Sequence, residues 1–201
     1  MPAFTVSEHR VRPADRTFKM VALVTGVCLL GFIAFVGVRG SSSHVPGTAA
    51  LEVPPPAVLK TGTVAPAFSL PRLSGGAPVS LAGYRGTPVI LNFFASWCRD
   101  CRAELKAIAT VAREASGHVA VVGVDSNDTS SSTAARLIAA VHATYPVGVD
   151  ADAKVASAYL LSVLPVTYFL NAQGRVVGAA LGPQTVASLD RWLKRLSTKE
   201  K

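Results

Sequence analysis

An α/β domain is predicted by two observations and one bound. Pro88 to Ala95 (PVILNFFA) is a short, nearly continuous apolar run, and Val119 to Val124 is a second; such runs mark strands buried on both faces. Between them, Arg102 to Ala115 places Leu105, Ile108, Ala109 and Ala112 at helical spacing. Strand, helix and strand therefore follow as a βαβ unit with a parallel pair. The bound is length: 201 residues hold one domain of roughly 100 to 150 residues and an appendage, but not two full domains.

The appendage comes first. Arg10, Arg12, Arg16 and Lys19 precede Met20 to Val38, a stretch of 19 residues without a charge, close to the roughly 20 that a helix needs to cross a bilayer. The basic bias ahead of it predicts that residues 1–19 stay in the cytoplasm, that 20–38 span the cell membrane as a signal-anchor, and that the rest is exported. A cleaved signal peptide, cut within 40–50, is the alternative. Its apolar core would ordinarily be about 7 to 15 residues long and end in a distinct small-x-small site, which argues for the retained anchor. Cys28 lies inside the apolar run behind Val27 and reads as a packing or lipid-facing residue. Residues 39–60, rich in Ser, Gly and Pro, read as a tether that Pro54, Pro55 and Pro56 hold extended.

The domain proper is expected over 61–198. Phe68 to Leu70 and Val79 to Leu81, separated by Gly75, Gly76 and Pro78, predict a β-hairpin extension at its N-terminal end. After the βαβ unit, helices are expected at Ser132 to His142 and Ala153 to Tyr159. Strands at Val166 to Leu170 and Arg175 to Ala179 follow, joined by the turn Asn171 to Gly174. A closing helix, Gln184 to Leu196, aligns Val186, Leu189, Trp192, Leu193 and Leu196 on one stripe.

Composition narrows the function classes. The net charge of +8 invites a nucleic-acid reading, but the N-terminal basic cluster has a membrane role. From Ser41 onward the 15 Lys or Arg and 10 Asp or Glu are scattered singly, without the basic patch and interleaved aromatics of a nucleic-acid surface. The cysteines are Cys28, Cys98 and Cys101, so a multi-bridge disulfide scaffold is excluded.

Cys98-Arg99-Asp100-Cys101 falls where the central strand ends and a helix begins, directly after Trp97. A sulfur at a helix N-terminus faces unpaired N–H groups and the positive end of the helix dipole, both of which favour thiolate over thiol. Cys98 is thus the expected nucleophile, and Cys101, one turn on, the residue that resolves a mixed disulfide. A zinc half-site would need two further ligands, and no second Cys or His cluster lies nearby; haem attachment would need His where Arg102 stands. No cofactor or metal is expected. A purely structural bridge in a docking domain remains the bland alternative.

Three ordered segments resemble the thioredoxin superfamily, and within it the TlpA/ResA-like branch of membrane-anchored oxidoreductases that includes DsbE/CcmG-type proteins. They are Gly62 to Leu70, Leu91 to Cys98, and Leu164 to Leu170 followed by Asn171 and Gly174. The resemblance implies a thioredoxin fold, a central mixed β-sheet flanked by helices. It also implies a cis Pro165 beside the cysteine pair, where Leu164, Pro165 and Trp97 would meet an incoming peptide. Glu104, three residues after Cys101, matches the branch's active-site glutamate, and Asn92 stands where thioredoxin has a buried Asp, so proton exchange with the sulfurs would fall to Glu104; a solvated helix residue is the alternative reading. Trp97 is expected to shield the sulfurs. The sequence departs from the branch at Asp100 and Lys106, where proline is usual, at Val163 in place of glycine and at Val166 in place of threonine, departures that bear on partner choice more than on chemistry.

The function this implies is extracytoplasmic thiol-disulfide exchange. Reduction of exported protein disulfides is the preferred direction, with apocytochrome c a candidate substrate and a membrane thiol carrier the electron source. A disulfide-forming oxidant is the alternative, because direction depends on potential and on what recharges the pair. A thiol peroxidase is disfavoured: its Pro-x-x-x-Thr-x-x-Cys pattern would need Pro and Thr where Leu91 and Ala95 stand.

Overall fold

The computed structural model describes residues 56–115 and 117–198. The expected anchor at 20–38, most of the tether and Cys28 lie outside the described residues; within them, no helix is long and apolar enough to cross a membrane. The chain enters through two short strands, β1 (Ser69–Leu70) and β2 (Val79–Ser80), paired antiparallel, and a 3-10 turn at Leu81–Tyr84. Then follow β3 (Val89–Phe94), α1 (Arg99–Glu114), β4 (Ala120–Ser126), α2 (Ser131–Ala140), β5 (Val147–Asp150), α3 (Lys154–Ala158), β6 (Val166–Leu170), β7 (Val176–Leu181) and α4 (Val186–Thr198).

The five-stranded sheet has the order β5-β4-β3-β6-β7. β3 runs parallel to β4, and β4 to β5, while β6 lies antiparallel to both β3 and β7. Every residue of β3 is buried, as its unbroken apolar run requires of a central strand, and its alternation divides the interior in two. Ile90 and Phe94 face a cluster with Leu105 and Ile108 of α1, Phe169 of β6 and Leu189 of α4. Leu91 and Phe93 face the other cluster, with Val122, Val124, Tyr159, Val166 and Tyr168.

Several elements differ from the sequence reading for local reasons. α1 begins at Arg99 rather than Arg102, because Cys98 occupies the capping position ahead of it in extended conformation. β4 continues past Val124 to Ser126 and so carries Asp125 into the interior. β5 was not expected: four residues with Gly148 among them give no period, and pairing with β4 supplies what local preference does not. Nor does the tether run freely to Lys60. Val58 and Leu59 pack on the second cluster, and the Leu59 N–H donates to Tyr168 Oη at 3.1 Å.

The entry segment also borders both ends of the sheet. Gly62 N–H donates to the Val176 carbonyl, Ala65 N–H to Gly174 and Val176 N–H to Thr63, beside the start of β7. Farther along, Leu73 N–H donates to Val147 and Val149 N–H to Pro71, along the outer edge of β5.

α4 is held to the sheet by Trp192, whose ring stacks on Phe169 at 4.2 Å between centroids and 9° between planes. Gly178 of β7, paired with Phe169, makes this possible: a Cβ there would lie 2.4 Å from Trp192 Cη2. Gly178→Ala is therefore expected to displace the indole and cost on the order of 1–3 kcal/mol, read as a lowered urea midpoint with an unchanged denaturant slope.

Candidate active site

The cysteine turn leaves the C-terminal end of β3. Ala95 and Ser96 are buried, Trp97 is exposed, and Cys98 caps α1. A disulfide joins Cys98 to Cys101. The Cys101 N–H donates to Cys98 Sγ at 3.1 Å, so one of the helix's unpaired donors is aimed at the sulfur expected to act as nucleophile. Cys98 keeps 7% of its surface exposed and Cys101 none; an attacking or leaving group can reach only the first.

Pro165 lies at this same end of the sheet. β6 is antiparallel to β3 with Val166 opposite Phe93, which sets the preceding residue beside the point where the cysteine turn departs. The Leu164–Pro165 peptide is cis and Pro165 is buried. Leu164 is half-buried and lines a shallow cleft of about 180 Å³ with Trp97, Asn127, Ala156 and Val163. Its far wall is fixed by Asp150, whose carboxylate accepts from Ser126 Oγ and from the Val155 and Ala156 N–H groups at the start of α3. Trp97 is 60% exposed, and its Nε1–H donates to the Asn127 carbonyl at 3.2 Å.

Glu104 is fully buried, which overturns the reading of a solvated helix residue. It stands on the inward face of α1, one turn beyond Cys101, where Leu105 and Ile108 continue the same face. Its Oε2 accepts from Asn92 Nδ2 at 2.8 Å and its Oε1 from Thr167 Oγ1 at 2.8 Å, while Asn92 Nδ2 also donates to Thr167 Oγ1 at 2.9 Å. Asn92 and Thr167 face each other across the β3–β6 ladder, so adjacent strands hold one carboxyl group. Burial dominates its titration and pushes it up to about 7, against the opposing pull of the hydrogen bonds from Thr167, Asn92 and the Gln184 backbone. A group titrating there can take up or release a proton at neutral pH.

Two further carboxyl groups escaped the sequence reading. Asp125, fully buried, follows Val124 in β4 opposite Phe94, and neither of its oxygens has a hydrogen-bond partner at close geometry. Asp128, in the loop after β4, accepts the Ser96 N–H at 2.7 Å. A carboxylate that directly follows an apolar run was the available signal for Asp125. Thr167 gave none, since a threonine in a strand is ordinary. Among the described residues no cluster of His, Cys, Asp and Glu could hold a metal ion.

Glu104's pH linkage is testable. A carboxyl raised from 4.5 to about 7 by folding contributes stability that is fully present below its unfolded value and lost as pH rises through its folded value. Between about pH 4.5 and 7 the wild type should lose on the order of 3 kcal/mol relative to Glu104→Gln, measured by urea unfolding of both proteins across that range.

Comparison with known proteins agrees with this geometry. Residues 61–179 match the model of the AhpC/TSA family. The thioredoxin-like protein YneN of Bacillus subtilis is 33% identical over 144 residues, covering 67% of this chain and 79% of its own. The thiol-disulfide oxidoreductase ResA of the same organism is 28% identical over 179 residues, covering 89% and 91%. A thioredoxin-family thiol:disulfide interchange protein of Chlorobium tepidum superposes with a TM-score of 0.61 at 28% identity, covering 70% of this chain and 99% of that one.

Proposed function

Since the chain belongs to the AhpC/TSA family, as a thioredoxin-like thiol-disulfide oxidoreductase of the ResA type, we propose that it reduces protein disulfides on the outer side of the cell membrane, held there by residues 20–38. The observation that carries the direction is the buried acid beside the pair. A strong oxidant owes its potential to a stabilised reduced form. Among the described residues one backbone N–H donates to Cys98 Sγ, while Glu104 sits buried one turn from Cys101. Negative charge close to the pair withholds stabilisation from a thiolate, which raises the reduced form in energy and favours giving electrons away.

In the forward cycle the Cys98 thiolate attacks a substrate disulfide, forming a mixed disulfide and releasing one substrate thiolate. Cys101 then attacks Cys98 Sγ, releasing the second. Two electrons pass to the substrate, and the protein is left with its Cys98–Cys101 bond. Glu104, titrating near neutrality, takes the proton that Cys101 must lose to attack. Trp97 and Leu164 line the cleft in which an extended substrate segment would lie, and the buried cis Pro165 follows Leu164 at its edge. A membrane thiol carrier returns the electrons, and apocytochrome c, which presents a cysteine pair, is the substrate class the ResA resemblance favours. The peroxidase reading is not adopted: Leu91 and Ala95 stand where the peroxidatic pattern needs Pro and Thr.

The deciding measurement is the reduction potential of the Cys98/Cys101 pair, equilibrated against glutathione and dithiothreitol. A value near that of thioredoxin, about −270 mV, is expected; one near that of DsbA, about −120 mV, would reverse the direction. Cys101→Ser should accumulate mixed disulfides with exported proteins in cells while Cys98→Ser accumulates none. Location is read separately: protease added to intact protoplasts should remove the domain and leave a membrane-embedded N-terminal fragment.

A further inference from the structure

Strands β3 and β4 end together, Phe94 opposite Asp125, and the loops that leave them are laced by two hydrogen bonds. Ser96 N–H donates to Asp128 Oδ2 at 2.7 Å and Trp97 Nε1–H to the Asn127 carbonyl at 3.2 Å. On its other side the Ser96 carbonyl accepts from Arg102 Nη2 at 3.4 Å. Ser96, two residues before Cys98, is therefore held at both its N–H and its carbonyl, and Asp128 holds the N–H. Asp125 lies behind this arrangement. Its side chain shares a sheet face with Gly123, whose missing Cβ leaves room for Tyr145 and Phe94, and its carboxyl is out of water with no close partner of its own. An ionised carboxylate in such a place is costly, whereas a protonated one has a donor to offer. Asp128, two residues past the end of β4 and bound to Ser96, is the carboxylate whose charge reaches it.

We propose that Asp125 and Asp128 form a carboxylic acid–carboxylate latch beneath the cysteine turn: protonated Asp125 donates to Asp128, which holds Ser96, and loss of that proton sets two carboxylates against each other and frees the turn carrying Trp97 and Cys98. Asp125 is thus a positioning residue, acting on the sulfur through Asp128 and Ser96. The inference rests on thiol-disulfide exchange at Cys98 and not on its direction. Its titration falls in a useful range, since burial first, then the charge and hydrogen-bonding of Asp128, push Asp125 up to about 7. Asp128 is partly buried, which raises it, yet hydrogen bonding from Ser96 and Ser130 together with the influence of Asp125 holds it below the ordinary carboxylate range. The other titratable or charged groups on elements packed around this face are Glu104 and Arg102 of α1, the joined cysteines, and Tyr145 ahead of β5, whose hydroxyl burial pushes up and the charge of Glu104 pushes further. Asp150 of β5 is occupied by Ser126 and α3.

The test uses the full-length oxidised protein in detergent, carrying Glu104→Gln so that the other buried carboxyl is silent. From about pH 5.5 to 8.5, two readings are taken: tryptophan emission, and the rate at which dithiothreitol opens the Cys98–Cys101 disulfide, divided by the thiolate fraction of the reagent. One common midpoint near neutrality is expected, with the corrected rate rising about threefold above it as Cys98 becomes more accessible. Asp125→Asn, which keeps a donor toward Asp128 but has no titrating proton, should abolish both transitions. Asp128→Asn removes the charge that raises Asp125 and should move the midpoint down by about one pH unit; at a half-buried loop position, it also serves if the buried substitution fails to fold. A parent protein without a transition, an Asp125→Asn protein that keeps it, or an Asp128→Asn midpoint that does not move would each overturn the proposal.

Discussion

A carboxyl group removed from water must be given donors or a proton, and Glu104 is given both possibilities at once. Its three donors come from β3, from β6 and from the backbone that leads into α4. The requirement therefore ties the cysteine helix to the two central strands and to the closing helix through one side chain. Truncating any partner would leave a buried polar group unsatisfied, at a cost of roughly 1–3 kcal/mol. The sulfur pair inherits its position from this arrangement, because Cys101 and Glu104 lie on one face of one rigid helix.

Chemistry is concentrated at a single end of the sheet. β3 delivers Cys98, β4 delivers Asp125 and the Asp128 loop, and β6, running the other way, begins directly after cis Pro165. The parallel and antiparallel neighbours of one buried strand thus bring together groups far apart in sequence. The remaining structure serves as ballast for that end: two apolar clusters on opposite faces of the sheet, and Trp192 clamped on Phe169 through the space that Gly178 leaves.

Where burial and sequence pattern coincide, the molecule was legible beforehand. The apolar run of β3, the stripe of α1 and the Cys98–Cys101 spacing placed the central unit and its reactive turn, and the cis geometry at Pro165 followed from resemblance. What escaped was polar and cooperative. β5 exists because β4 offers it hydrogen bonds, and its four residues carry no period of their own. Glu104 reads equally as a surface or an interior residue until Asn92 and Thr167 are seen to converge on it. Asp125 carries little mark in the sequence of being interior, because the apolar run stops at Val124 though the strand continues to Ser126. Val58 and Leu59 were absorbed into a proline-rich tether whose composition hid two residues that pack.

The entry segment, residues 62–73, is made early, yet its hydrogen-bonding partners at Val147, Val149, Gly174 and Val176 come much later in the chain. Until the ribosome has supplied them, residues 62–73 are without their native partners, and unpaired extended backbone is a template for pairing with other chains. Closure across more than a hundred residues is slow compared with local helix formation. The interval between synthesis and completion is therefore the period in which this domain is most open to aggregation, and a chaperone that shields unpaired edges would matter most then. Once residues 62–73 are in place, a protein partner finds the outer edge of β5 and the start of β7 already occupied.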